Sequence, residues 1–304
     1  MINGIDKSLF AGFSGEVALN EPLSKHTSWR VGGPASAMVF PKEIGSLADL
    51  IKRLRSANIP YAVIGNGSNV LAPDEGYKGV VINLKHCFEQ IEEFGKHSDS
   101  VLLKVGAGAS KYKLLQYAMH HGLIDLIFLA GIPGTIGGGL AMNAGTSEGA
   151  FDAVTESVSL IDREGNLILL EKNSIKFGYR TGIRHGVIVE CVLRSRIGPS
   201  EEMKERVNTF MTKRKETQPL TFPSCGSTFK NPKGDYAGRL IEAAGLKGFK
   251  IGDAQVSVLH ANFIVNLGSA SSKDINSLIA HVKKMVHQKF GVELSEEILR
   301  LEEI

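Results

Sequence analysis

Cysteine is scarce in this 304-residue sequence: Cys87, Cys191 and Cys225 are the full complement, an odd set without CxxC spacing. That excludes a disulfide framework and a cysteine-based zinc site, and it fits reduced thiols in a cytoplasmic protein. Charge of one sign is lacking too. There are 35 Lys and Arg against 32 Asp and Glu, and no basic run gathers the net +3 into a nucleic-acid-binding face. Long apolar runs are missing. The most apolar stretch, residues 122–139, is interrupted by Asp125, Pro133 and several glycines, a poor span for a membrane that needs ~20 apolar residues. No basic segment followed by an apolar leader opens the chain, so neither secretion nor membrane insertion is expected. Walker A and G-x-S-x-G sequences are absent, and at Gly106-Ala107-Gly108 the third glycine of a nicotinamide-type fingerprint is replaced by Lys111. What is present is an ordinary globular composition, 43% hydrophobic and 22% charged, at a length that allows two domains of ~100–200 residues.

Apolar periodicity organises the chain. Leu47, Leu50, Ile51 and Leu54 recur at helical spacing and lead into a short strand at residues 61–64. A strand at 101–105 ends in glycines, and Ser110 is placed to cap a helix carrying Leu114, Leu115 and Ala118. Strands are expected at 157–162, 167–170 and 186–193, the first two joined by a turn at Glu164-Gly165-Asn166. After the break at Gly198-Pro199-Ser200 come helical stripes through Met203, Val207, Phe210 and Met211, then through Ala237, Leu240, Ile241 and Ala244. A strand is expected at 261–267, and a last helix starts at the capping box Ser271 to Asp274 and stops at Gly291. The expected fold is α+β, with residues 1–197 as one domain of two parts split near 85, and 198–304 as a smaller α/β domain.

Two glycine clusters carry the chemistry. The first is Gly65, Asn66, Gly67, Ser68 and Asn69, directly after a strand. The second is Gly131, Ile132, Pro133, Gly134, Thr135, Ile136, Gly137, Gly138 and Gly139, running on to Asn143. Such segments leave backbone N–H groups able to converge on a pyrophosphate without a lysine. The competing reading, glycine-rich connections that bind nothing, has equal standing from the residues alone.

The order Pro22-Leu-Ser-Lys-His-Thr-Ser-Trp-Arg-Val-Gly-Gly33, both clusters, Phe177-Gly-Tyr-Arg-Thr-Gly182, Pro223-Ser-Cys-Gly-Ser-Thr-Phe-Lys-Asn-Pro232, Gly245-Leu-Lys-Gly248 and Gly291-Val-Glu-Leu-Ser-Glu-Glu-Ile298 covers nearly the whole chain. It resembles the type II branch of the UDP-N-acetylenolpyruvoylglucosamine reductases. The resemblance implies a two-part FAD-binding domain of the PCMH/vanillyl-alcohol-oxidase type followed by a substrate domain whose last residues return toward the FAD domain. It also implies non-covalent FAD, NADPH as co-substrate, and reduction of UDP-N-acetylglucosamine enolpyruvate to UDP-N-acetylmuramate for peptidoglycan. The glycine clusters, Gly65 to Asn69 and Gly131 to Thr135 with Gly137, Gly138 and Asn143, would hold FAD, and His26 would form no flavin bond.

The resemblance assigns catalysis to Arg180, Ser227 and Glu297: enolate stabilisation by the guanidinium, proton donation by the serine, and polarisation by the glutamate. Glu296 stands where relatives carry Pro, beside Glu297. Tyr179, Lys230 and Asn231 are expected at the substrate. Arg214 either meets a pyrophosphate or complements a helix C-terminus, and the sequence leaves both open. His120-His121 lacks metal-ligand spacing, and no metal is expected. Two other readings remain: an FAD oxidase of a small alcohol or sugar, and a nucleotide-binding protein without catalysis. No heptad seam or apolar stripe marks a subunit interface, which is compatible with a monomer.

Overall fold

The computed structural model describes residues 5–304. The chain divides into two compact units, each with its own core. Among the described residues the first comprises 5–19, 37–66 and 79–212; the second comprises 20–36, 67–78 and 213–304. The units therefore do not coincide with one cut at 197/198: residues 20–36 and 67–78 group with the C-terminal part, and 198–212 with the N-terminal part. The fold class is α+β, as expected.

In the first unit one sheet is ordered Gly15–Pro22, Pro34–Pro41, Tyr77–Asn83 and Tyr61–Ile64. Its last pair is parallel, with Tyr61 opposite Val80. Residues 65–76 connect that pair, whereas the helix Ile44–Ser56 leads from Pro34–Pro41 to Tyr61–Ile64 and buries the anticipated stripe Leu47, Leu50, Ile51 and Leu54. A second sheet is antiparallel, ordered Leu167–Glu171, Thr155–Ile161, Val187–Arg196, Ser100–Gly106 and Ile91–Lys96. Four of these strands match expectation. Ile91–Lys96 was not foreseen, because Glu92 and Glu93 break the apolar alternation of what is an edge strand. The helix Lys111–His121 starts at Ser110, whose hydroxyl accepts from Lys113 N at 3.1 Å, and ends at Gly122 in the left-handed region.

In the second unit a four-stranded antiparallel sheet runs Ser224–Ser227, Phe263–Asn266, Ala254–Val256 and Lys250–Ile251. Helices Ala237–Ala243 and Ser272–Phe290 bury Leu240, Ile241, Ile275, Leu278, Ile279 and Val282 in the core of this unit. The longer helix has the anticipated capping box, Ser271 with Asp274. Asp74 adds to it, accepting from Ser272 N at 2.8 Å and Lys273 N at 2.9 Å. Trp29 is fully buried, its indole N–H donating to Ile264 O at 2.7 Å. Near the C-terminus Leu299–Arg300 pairs in parallel with Val70–Leu71. No helix among the described residues is long and apolar enough to cross a membrane.

Candidate active site

In the first unit a cavity of about 230 Å³ takes part of its wall from each glycine cluster, Asn66 from the first and Ile132, Pro133, Gly134 and Thr135 from the second. Gly108, Ser110 and Tyr112 close it, with Lys85, His86 and Glu89 also lining it. Glycine is required where the segments meet. A Cβ on Gly65 would overlap the Thr135 hydroxyl, and one on Gly108 would overlap the carbonyls of Cys87 and Leu84. Gly131 and Gly134 hold φ of 72° and 101°, conformations that other residues resist.

Beyond Thr135 the second cluster turns to internal work. Ile136 N donates to Ala109 O at 2.9 Å and Gly137 N to Ala107 O at 2.8 Å, while Gly138 N donates to the Thr135 hydroxyl at 3.3 Å. Those N–H groups hold the helix Ile136–Met142 against its neighbours, and Gly139 leaves room for the Phe151 ring and the Lys111 stem. Asn143 is similarly engaged: its amide donates to Gly178 O at 3.1 Å and accepts from Asp152 N at 3.0 Å. The part of the second cluster that lines the cavity is 132–135.

Asn143 thereby anchors a two-residue turn. Gly178 and Thr181 form an antiparallel bridge, with Gly178 N to Thr181 O at 2.8 Å, and Tyr179-Arg180 is its tip. Gly182 docks the far side of the turn on the helix, where a Cβ would overlap Leu140 O. Arg180 sits at φ 54° with its guanidinium 5.2 Å from the Tyr179 ring centroid. Tyr179 is exposed and Arg180 half-buried.

Lys111 went unassigned in the sequence, yet it shares the stripe of Leu114, Leu115 and Ala118 and is buried with them. That periodicity was the signal. Its ammonium donates to Pro133 O at 3.0 Å, directly behind the cavity wall. Burial, and secondarily the positive field of Arg180, bring its pKa down to about 7.

In the second unit the strand Ser224–Ser227 carries a bulge. Ser224 opposes Val265 and Ser227 opposes Phe263, so an extra residue is accommodated between them, with Gly226 at φ 74°. Ser227 and Glu297, distant in sequence, lie on neighbouring backbone segments: Glu297 N donates to Thr228 O at 2.8 Å, and Phe229 bridges Glu296. Glu296 is held by Lys283 at 3.1 Å and Arg300 at 2.6 Å, a local ion-pair cluster.

Several assigned residues have structural partners. Asn69 donates to Glu297 O at 3.0 Å and accepts from Leu299 N at 3.0 Å, so it fixes the segment bearing Glu297. Gly67 packs where a Cβ would overlap His26 O, and Ser68 is half-buried beside it. Asn231 caps the helix Ala237–Ala243 through Ala237 N at 3.1 Å, and Lys230 N donates to Ser295 O at 2.9 Å. Arg214 bonds to Gln218 at 2.6 Å, and burial lowers its pKa. Asn262, unassigned from sequence, clamps the segment after Ser227, accepting from Phe229 N at 3.0 Å and donating to Phe229 O at 2.8 Å. Burial pushes the Cys225 thiol up to about 12, which keeps it protonated and inert.

Residues 35–171 match the family model described as FAD binding domain, and residues 218–301 match that of the UDP-N-acetylenolpyruvoylglucosamine reductase C-terminal domain. The UDP-N-acetylenolpyruvoylglucosamine reductase of Caldanaerobacter subterraneus subsp. tengcongensis is 41% identical over 287 residues, 93% of either chain. That of Clostridium tetani is 41% identical over 289 residues, 94% of this chain and 92% of its own. The crystal structure of UDP-N-acetylenolpyruvylglucosamine reductase from Thermus caldophilus matches with a TM-score of 0.79 at 35% identity, over 95% of this chain and 99% of that one. Two-part match, near-complete coverage and shared fold agree: the chain belongs to the UDP-N-acetylenolpyruvoylglucosamine reductase family.

Proposed function

We propose that this chain reduces UDP-N-acetylglucosamine enolpyruvate to UDP-N-acetylmuramate in the cytoplasm, for peptidoglycan synthesis, with FAD as cofactor and NADPH as donor. The observation that carries the reading is the convergence of Ser227 and Glu297, joined through the Glu297 N to Thr228 O bond at 2.8 Å. A passive nucleotide-binding protein has no need of that juxtaposition.

The cavity of the first unit suits FAD. Its wall takes segments from both glycine clusters, with Asn66, Ser110 and Thr135 as neutral polar residues and Lys85, His86 and Glu89 as ionisable ones. Backbone N–H groups of such segments can receive a pyrophosphate. Asn66 and 132–135 would hold the cofactor. Bound FAD would supply the hydride chemistry between NADPH and the vinyl carbon.

The chain's own residues do the rest. Ser227 holds the proton destined for the carbon next to the carboxylate. Alkoxide formation is unfavourable for a serine, so the donor must be held in place; the bulge before Ser227 and the Asn262 clamp on Phe229 order the backbone that carries it, which supports this role. Arg180 presents a planar fork of donors to the substrate carboxylate, where negative charge builds as the carbon–carbon double bond is reduced. Glu297 is the acidic partner in polarising the enol ether. Tyr179, Lys230 and Arg214 contribute to nucleotide binding.

The test is an anaerobic visible spectrum. The purified chain should be yellow, bleach with NADPH, and regain colour on addition of the enolpyruvyl sugar nucleotide. Failure of NADPH to bleach a yellow protein would instead select an oxidase. In Ser227→Ala, bleaching by NADPH should persist while recolouring slows by about 10²-fold or more. Unchanged recolouring removes Ser227 from the reaction.

A further inference from the structure

We propose that Lys111 is a positioning residue for the cofactor: its buried ammonium, bonded to Pro133 O behind the cavity wall, is a countercharge to the FAD pyrophosphate, so that FAD binding draws a proton onto it. The proposal rests on the reading of this cavity as the FAD site.

Three observations carry it. Lys111 is only 4% exposed, a placement lysine almost never adopts without a charged partner. The space for its stem is made by Gly139, where a Cβ would lie 2.8 Å from Lys111 Cε. Its backbone N donates to Gly134 O at 3.0 Å and its ammonium to Pro133 O at 3.0 Å, so both ends of the residue hold the segment that lines the cavity. The segment 132–135 brings no ammonium or guanidinium of its own; Lys85 lines the cavity from elsewhere.

The charges around Lys111 favour its neutral form until an anion arrives. Arg180, on the 178–181 turn, repels it. The helices Ile136–Met142 and Phe151–Val154 present Gly139 and the Phe151 ring to it, without charge. On its own helix Lys113 is turned to Glu89, and the cavity is also lined by Lys85, His86 and Glu89. With its pKa held near 7, the group is poised to respond. An anion beyond the Pro133 wall raises that value in the complex. Binding is then strongest below the free value, where the ammonium exists beforehand. It weakens as pH rises, by at most tenfold per unit, until the bound value is passed.

The experiment is release of FAD from the diluted holoenzyme, followed by flavin fluorescence from pH 6 to 9.5. In the wild type the FAD Kd should rise at least tenfold between pH 7 and 9. In Lys111→Met it should be flat at the weak, high-pH value of the wild type. A pH slope that survives in Lys111→Met overturns the proposal, as does a wild type without a slope. A wild type that binds no FAD at all overturns the cofactor reading itself, a distinct result. Should Lys111→Met lose FAD at every pH, the wild type decides: with ¹³Cε-lysine labelling, the Lys111 titration midpoint must move up on FAD binding, and an unmoved midpoint refutes the idea.

Discussion

Arg180 occupies the left-handed region at φ 54°, where a residue with a Cβ costs about 1–2 kcal/mol relative to glycine. Its tight turn, bridged between Gly178 and Thr181, is one in which such a conformation is ordinarily given to glycine. Strain tolerated at an arginine is an argument that its side chain is wanted there. Arg180→Gly should therefore leave the thermal midpoint equal or higher while lowering kcat for substrate reduction by about 10²-fold or more. Paired melting curves and rate measurements check both halves, and a lowered midpoint would show that the guanidinium serves folding. The residue was legible as a Tyr-Arg pair in a family-like motif. Its backbone conformation was not, since φ at a turn tip is set by the Asn143 anchor and by Leu140, against which Gly182 docks, both remote from the pair in sequence.

At the scale of elements, a side chain in the first glycine cluster fixes a segment from the far end of the chain. The Asn69 side-chain amide donates to Glu297 O, its backbone carbonyl accepts from Leu299 N, and next to it Val70–Leu71 pairs with Leu299–Arg300. A cofactor role and a positioning role for Asn69 give different outcomes. Asn69→Ala should keep its full complement of FAD and its rate of bleaching by NADPH, lose about 1 kcal/mol of stability from the missing hydrogen bond, and slow the substrate half-reaction. Loss of FAD with an unaffected substrate half-reaction would return Asn69 to the cofactor. Read linearly, a glycine-rich turn after a strand looks like a ligand cradle throughout. Only pairing reveals that Asn66 lines a cavity while Asn69 serves a short parallel strand. Helices were the legible elements, because stripes such as Leu47-Leu50-Ile51-Leu54 and caps such as Ser271 with Asp274 are local. The edge strand Ile91–Lys96 and the two-residue strands were not, having too little alternation to register.

For the whole molecule the informative quantity is where one buried charge leaves the balance of stability. The division of the chain into interleaved units was beyond a linear reading, since nothing in residues 20–36 or 67–78 announces that they group with residues 213–304. Lys111, by contrast, could have been found: its place on an apolar stripe required burial. Burial has a consequence for stability against pH. Unfolded, the lysine titrates near 10.5; in the folded chain desolvation and Arg180 bring it to about 7. Between those values the unfolded chain binds the extra proton. Stability therefore rises with pH across that window, by at most about 1.4 kcal/mol per unit, and this gain is absent below pH 7. Replacing the ammonium with an apolar chain of similar length removes the penalty. Urea unfolding of flavin-stripped protein at pH 7, 8 and 9 should show the wild type gaining stability at each step. Lys111→Met should be more stable at pH 7 and should lack this rise. A wild type whose midpoint is level over this range would mean that Lys111 keeps its proton in the folded chain, and the charge held behind the glycine wall would then be permanent.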